Sequence, residues 1–213
     1  MNMASPVNWP ELHYPLVAIL RGIHPNEVEA IGDVLVEAGF EAIEVPLNSP
    51  DPLVSIERLA RRHGDRVLIG AGTVLSAADC AAVADAGGRL MVSPNVDPEV
   101  LAMATSRGMV TLPGVLTPTE ALLAIRHGAS ALKFFPASVL GSSGITAIRA
   151  ILPKGVPVAA VGGVSNETFA DYVAAGIRIF GLGTGLYKPG RTPSDVAAAA
   201  AAATRTYDAA IGR

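Results

Sequence analysis

The chain has 213 residues, half of them hydrophobic but only 5% aromatic, and a formal net charge of -3. That balance supplies a sizeable core of Ala, Val, Leu and Ile and lacks the basic face of a nucleic-acid binder. A single cysteine, Cys80, excludes an internal disulfide; with no signal pattern and no membrane-length apolar run, a soluble cytoplasmic protein without membrane contact is expected.

Residues 1–14 carry two prolines and the only tryptophan, Trp9, and read as a lead-in segment that could form a short helix under the first strand. Apolar, β-prone runs then recur at Pro15–Leu20, Glu41–Val45, Arg66–Ala71, Arg89–Val92, Met109–Leu112, Ala131–Phe135, Val156–Val161 and Ile177–Leu182. Between them lie stretches of helical period, opened by Pro, Asp, Ser or Thr and closed by Gly, as in Pro25-Asn26-Glu27 to Gly39 and Ser165-Asn166-Glu167 to Gly176. Pro193-Ser194-Asp195 and the seven alanines Ala197 to Ala203 predict a last helix reaching Tyr207 and Ile211.

Strands alternating with helices imply βαβ units and a parallel sheet. Eight such units, recurring roughly every 23 residues, point to a small (β/α)₈ TIM barrel, read as a single domain over 1–213. An open doubly wound sheet would usually carry a Gly-rich dinucleotide turn after its first strand, and Leu20-Arg21-Gly22-Ile23-His24 is not one.

In such a barrel the chemistry sits at the C-terminal ends of the strands and on the loops that follow. Lys133 lies in the apolar stretch Ala131-Leu132-Lys133-Phe134-Phe135-Pro136. Desolvation disfavours an ammonium there and frees an amine for covalent capture of a carbonyl; the plainer alternative is a lysine whose head reaches solvent. Glu44 is a carboxylate inside another apolar strand, suited to acid–base work if unpaired and otherwise a structural ion-pair partner. It is on the second expected strand and Lys133 on the sixth; alternate strands supply one side-chain layer, so the two can face one pocket.

Arg21, ending the first strand, could pair with a substrate carboxylate or with Glu44. Gly70-Ala71-Gly72-Thr73 allows close backbone approach and offers a hydroxyl. Val161-Gly162-Gly163 and Gly181-Leu182-Gly183-Thr184-Gly185 follow the seventh and eighth expected strands, where these barrels bind phosphate. His13, His24, His63 and His127 are scattered, and no His, Asp and Glu set has metal-ligand spacing, so no metal and no cofactor are expected. Cys80 reads as a packing residue.

The segments Leu16–Gly22, Glu44–Ser49, Ile69–Leu75, Val92–Asn95, Leu132–Pro136, Ala160–Val164 and Gly181–Tyr187 together resemble the class I aldolases for 2-keto-3-deoxy-6-phospho sugar acids (the KDPG/KHG aldolase family). The resemblance implies Lys133 as the Schiff-base lysine and Glu44 as the proton shuttle. It also implies Arg21 and Thr73 at the carboxylate end of the substrate, and Gly162, Gly163, Gly183 and Thr184 around its phosphate. A homotrimer and metal independence are implied in the same way. The gluco-specific branch typically has an arginine where this chain has Asn48 and a hydroxyl residue where it has Val161, so the chain looks like the galacto-specific branch. Cleavage of the gluco epimer or of 4-hydroxy-2-oxoglutarate, sugar-phosphate isomerisation or epimerisation, and a non-catalytic phosphate-binding barrel are the alternatives.

Overall fold

The computed structural model describes residues 5–213; residues 1–4 of the lead-in lie outside the described residues. The strands are β1 Leu16–Ile19, β2 Ala42–Pro46, β3 Leu68–Gly72, β4 Leu90–Val92, β5 Val110–Leu112, β6 Gly114–Val115, β7 Leu132–Phe134, β8 Val158–Val161 and β9 Ile179–Leu182. All pair in parallel, in the order β5-β4-β3-β2-β1-β9-β8-β7-β6. Around them lie helices α1 Val28–Glu37, α2 Pro52–His63, α3 Ala77–Asp85, α4 Pro98–Ser106, α5 Pro118–Arg126, α6 Ala137–Arg149, α7 Phe169–Ala174 and α8 Pro193–Ile211.

The expected eight-stranded barrel is present, with one local difference. The fifth strand does not stop at Leu112 but continues after Pro113 as β6. Proline has no N–H to give to a ladder, so the strand splits there into two short pieces. This divided strand closes the ring. Its first half pairs with β4, while Thr111 O, Pro113 O and Val115 O accept from the N–H groups of Ala131, Lys133 and Phe135 at 3.2, 2.9 and 3.1 Å.

Side chains alternate across the strands, so one sheet serves two cores. Ile43 and Val45 face the helices, in a layer with Leu16, Ala18, Leu132, Phe134 and Phe180. Val17, Ala42, Leu90, Val110, Ala159 and Ile179 fill the lumen. By this alternation Glu44 and Lys133 both point inward, above a plug of aliphatic side chains. Local signals place the helices. Asp97 caps α4 by accepting from Glu99 N–H and Val100 N–H at 2.8 and 3.2 Å, and Thr192 forms a capping box with Asp195 at the start of the alanine-rich α8.

The lead-in contains no helix between residues 5 and 14, which corrects that expectation. Pro6 and Pro10 interrupt any helical ladder in so short a piece. It does pack beneath the barrel: Val7, Trp9 and Leu12 cover the lumen cluster. Glu41 accepts from His13 N–H at 2.6 Å and Tyr14 N–H at 3.2 Å. Ser130 Oγ donates to Val7 O at 2.5 Å and accepts from Thr111 N–H at 2.9 Å. Cys80 is fully buried with its sulfur 3.8 Å from that of Met109, a packing role. Substituting Ser130→Ala removes the partner of the buried Thr111 N–H and of the partly buried Val7 carbonyl, so it is expected to cost about 1–3 kcal/mol. Urea unfolding and faster hydrogen exchange over residues 5–12 would register that loss; unchanged stability would contradict it.

Candidate active site

Lys133, at the centre of β7, is 6% exposed and Glu44, at the centre of β2, is 4% exposed. Leu132 and Phe134 flank the lysine in sequence but turn to the helices, which leaves its amine in the lumen. Burial drives the Lys133 amine down to about 8, with the Arg21 charge adding to the effect and Glu44 opposing it. Burial drives the Glu44 carboxyl up to about 7 against the attraction of Lys133 and Arg21 and a hydrogen bond from Gly72 N–H. The Lys133 nitrogen lies 4.8 Å from the centre of the Phe135 ring.

These groups influence one another without forming a closed ion pair. Among the described residues, the ion pairs are Arg62–Asp33, His63–Asp33, Arg107–Asp85 and Arg213–Asp208. Glu44 is in none of them, and its Oε2 is buried without a hydrogen-bond partner. An unsatisfied buried carboxylate oxygen is costly and is a mark of a working group. Gly72 explains how it fits: a Cβ there would stand 1.9 Å from Glu44 Oε2. The bare backbone at this point admits the chain's own carboxylate, where the sequence suggested a ligand.

Arg21 forms no ion pair with Glu44. Its guanidinium donates to Asn48 Oδ1 at 2.5 Å and reaches Thr73 Oγ1 at 3.4 Å. The loops after β1, β2 and β3 are thereby gathered at one rim, and Ser49 Oγ adds a bond from Gly22 N–H at 2.9 Å. Thr73 has φ +58°, a left-handed conformation. For a β-branched residue this costs about 1–3 kcal/mol and is typical of positions held for function.

The other rim is built from glycine. Gly162 and Gly163 have φ +87° and +74°. A Cβ on the first would press the Phe135 ring at 3.1 Å, and on the second would meet Ser138 at 2.5 Å. Ser138, an exposed hydroxyl beside Gly163, carried no signal in the sequence because it is an ordinary helix-start residue. Val161 ends β8 in the lumen, packed beside Gly181, and Thr184 is exposed in the loop after β9. A cavity of about 250 Å³ lies between the two loops, lined by Ser165, Asn166, Gly183, Gly185 and Leu186 among others. A larger cavity of about 500 Å³ opens at Asp33, Glu37, Arg62, His63 and Arg66. Arg62 there is already held by Asp33 at 2.6 and 2.7 Å, and the opening lies at the far ends of α1 and α2, away from the lumen charges. Size alone is therefore a poor guide, and the candidate site is the glycine-walled rim above Lys133 and Glu44.

A closed parallel barrel with a dry amine and a dry carboxyl in its lumen defines a class: barrels equipped for covalent carbonyl chemistry. The comparisons narrow it. Residues 12–198 match the family model for KDPG and KHG aldolase. The chain is 60% identical to the "probable 2-dehydro-3-deoxy-6-phosphogalactonate aldolase" of Rhizobium meliloti, over 95% of this chain and 96% of that protein. It is 45% identical to the 2-dehydro-3-deoxy-6-phosphogalactonate aldolase of Escherichia coli, over 92% and 96%. The solved structure described as native KDPGal superposes with a TM-score of 0.94 at 43% identity, covering 97% of this chain and all of the other. The chain belongs to the KDPG and KHG aldolase family.

Holding both groups in the lumen costs stability near neutrality. Lys133 sits below its ordinary 10.5, so the unfolded chain binds the extra proton between about pH 8 and 10.5. That penalty is in full force below pH 8 and is relieved as pH rises through the window. Glu44 sits above its ordinary 4.5, so its penalty grows as pH rises from about 4.5 to 7. The double variant Lys133→Met with Glu44→Gln is expected to be inactive yet more stable than the parent at pH 7.5, by on the order of 1–4 kcal/mol. Thermal unfolding measures this, and the gain should shrink at pH 10; a less stable double variant would contradict the reading.

Proposed function

We propose that the protein is a class I aldolase that cleaves 2-dehydro-3-deoxy-6-phospho-D-galactonate to pyruvate and D-glyceraldehyde 3-phosphate. The observation that carries it is the buried Lys133 amine, lowered towards neutrality, with the buried Glu44 carboxyl whose Oε2 has no hydrogen-bond partner. Lys133 Nζ adds to the C2 ketone, and loss of water gives an iminium. Glu44, directly or through water, takes the proton of the C4 hydroxyl. The C3–C4 bond then breaks, its electron pair flows into the iminium to form an enamine, and glyceraldehyde 3-phosphate departs. Protonation of the enamine at C3 and hydrolysis return pyruvate and the free amine. The iminium is the electron sink, so the reaction needs neither metal nor cofactor.

In this reading Arg21 and Thr73 hold the carboxylate end, and Gly162, Gly163, Gly183 and Thr184 hold the phosphate. Fixing both ends is positioning work that brings C3–C4 over the base. Asn48 and Val161 set the preference for the galacto epimer at C4. Asn48 acts through Arg21, which it bonds at 2.5 Å; Val161 offers an apolar wall where a hydroxyl would otherwise compete. Both sequence relatives named above carry the galacto name, and the chain covers nearly their whole length.

The same reading includes one barrel domain working as a homotrimer in the cytoplasm. The lone cysteine suits a reducing compartment. Exposed Leu53 and Val54 at the start of α2, with Leu75 at 54% after β3, offer apolar surface on the site end of the barrel for a second copy. Light scattering should give three times the chain mass; a monomer would remove this part.

The mechanism is tested by incubating the protein with pyruvate and borohydride and mapping the adduct by mass spectrometry, with Lys133 expected as the labelled residue. No label on Lys133 would end the Schiff-base reading. A coupled assay of pyruvate release should show higher kcat/KM for the galactonate than for the gluconate epimer, and equal or reversed values would overturn the substrate assignment. The rate should fall below about pH 7, where Glu44 and Lys133 both gain protons.

A further inference from the structure

The loop after β9 and the loop after β1 carry opposite ends of the proposed substrate grip, and a partly buried bond joins them. Tyr187 is 1% exposed, and its hydroxyl donates to Glu27 Oε1 at 2.9 Å. The same oxygen accepts from His24 N–H at 3.1 Å. Glu27 is the residue before α1, yet its side chain makes no capping bond to that helix. Its carboxylate is spent instead on the two loops.

The surroundings reinforce this single tie. Pro189 packs on Gly22, where a Cβ would come within 2.8 Å of the proline ring. Arg191 donates to Gly185 O and Leu186 O at 2.6 and 2.8 Å, and Leu186 N–H and Tyr187 N–H both donate to Gly183 O at 2.9 Å. Gly183 and Gly185 themselves have open space where side chains would be. The glycine carbonyls are held by Leu186, Tyr187 and Arg191, so the loop's shape is set by what anchors that far side. Because β9 and β1 are neighbours in the sheet, that anchor is the segment that begins with Arg21.

We propose that Tyr187 and Glu27 are positioning residues, which couple the Gly183–Gly185 loop to the Arg21 loop so that both ends of a phosphorylated keto acid are gripped at a fixed separation. This deepens the aldolase reading and rests on it for the identity of the ligand. The residues touch no reacting atom. Their bond is charge-assisted and partly buried, stronger than one between neutral groups.

The test is a double-mutant cycle with Tyr187→Phe and Glu27→Ala, and Glu27→Gln as the conservative variant. Tyr187→Phe keeps the buried ring. The account predicts a KM for the phosphorylated substrate raised roughly tenfold, with little change in exchange of the pyruvate methyl protons with solvent, since pyruvate has no phosphate to grip. Glu27→Ala should match it, the double variant should be no worse than either single, and Glu27→Gln should recover most of the KM. Hydrogen exchange should quicken at both residues 183–191 and residues 21–25 in Tyr187→Phe.

Additive effects, an unchanged KM, a fall in pyruvate exchange as large as that in cleavage, or unaltered protection in either loop would overturn the coupling. Borohydride trapping of pyruvate in the parent protein separates the two readings. If the parent fails to trap, the aldolase reading falls while the exchange data still decide the coupling.

Discussion

Everything at this site follows from keeping one ammonium-forming side chain out of water. The lumen of a small parallel barrel is lined by aliphatic side chains, and Lys133 projects into it from a strand whose neighbouring residues face outward. Removal of solvent is the largest influence on its amine and on the Glu44 carboxyl alike. The two shifts run towards each other, so near neutrality each group can give or take a proton at little cost. A closed ion pair would have prevented this, because a tight bridge holds both groups charged. Glu44 instead rests on the bare backbone of Gly72 with one oxygen unpartnered.

The rims convert that chemistry into a shaped site. Arg21, Asn48, Ser49 and Thr73 stitch three successive loops, and the strained Thr73 backbone persists because those bonds surround it. Across the opening, Gly162 and Gly163 lie under Phe135 and beside Ser138, where any side chain would collide. Charge and reach are thus concentrated on one side and bare backbone on the other, which suits a ligand with a carboxylate at one end and a phosphate at the other.

Much of this was legible in the residues, for physical reasons. A charge inside a short apolar strand is conspicuous, so Lys133 and Glu44 stood out, and the strand-to-helix rhythm placed them on facing strands. The divided fifth strand was less legible, because a proline normally ends a strand and here only interrupts it before Gly114. Residues 5–14 form no helix because Pro6 and Pro10 leave too few residues to propagate one. Gly72 was noticed for the wrong partner: a glycine advertises close approach without saying what approaches. Arg21 bonding Asn48, and Tyr187 bonding Glu27 from 160 positions away, are long-range contacts with no local periodicity to announce them.

The central claim is that the Lys133 amine gives up its proton near 8, far more readily than an ordinary lysine, because it is dry and despite the opposing charge of Glu44. The chain has three lysines, Lys133, Lys154 and Lys188, so carbon-13 labelling at lysine Cε yields a spectrum simple enough to titrate residue by residue. The account predicts one resonance titrating near 8, assigned to Lys133 by its loss in Lys133→Met and displaced downward in Glu44→Gln. A Lys133 resonance titrating at the ordinary lysine value of 10.5 would contradict it.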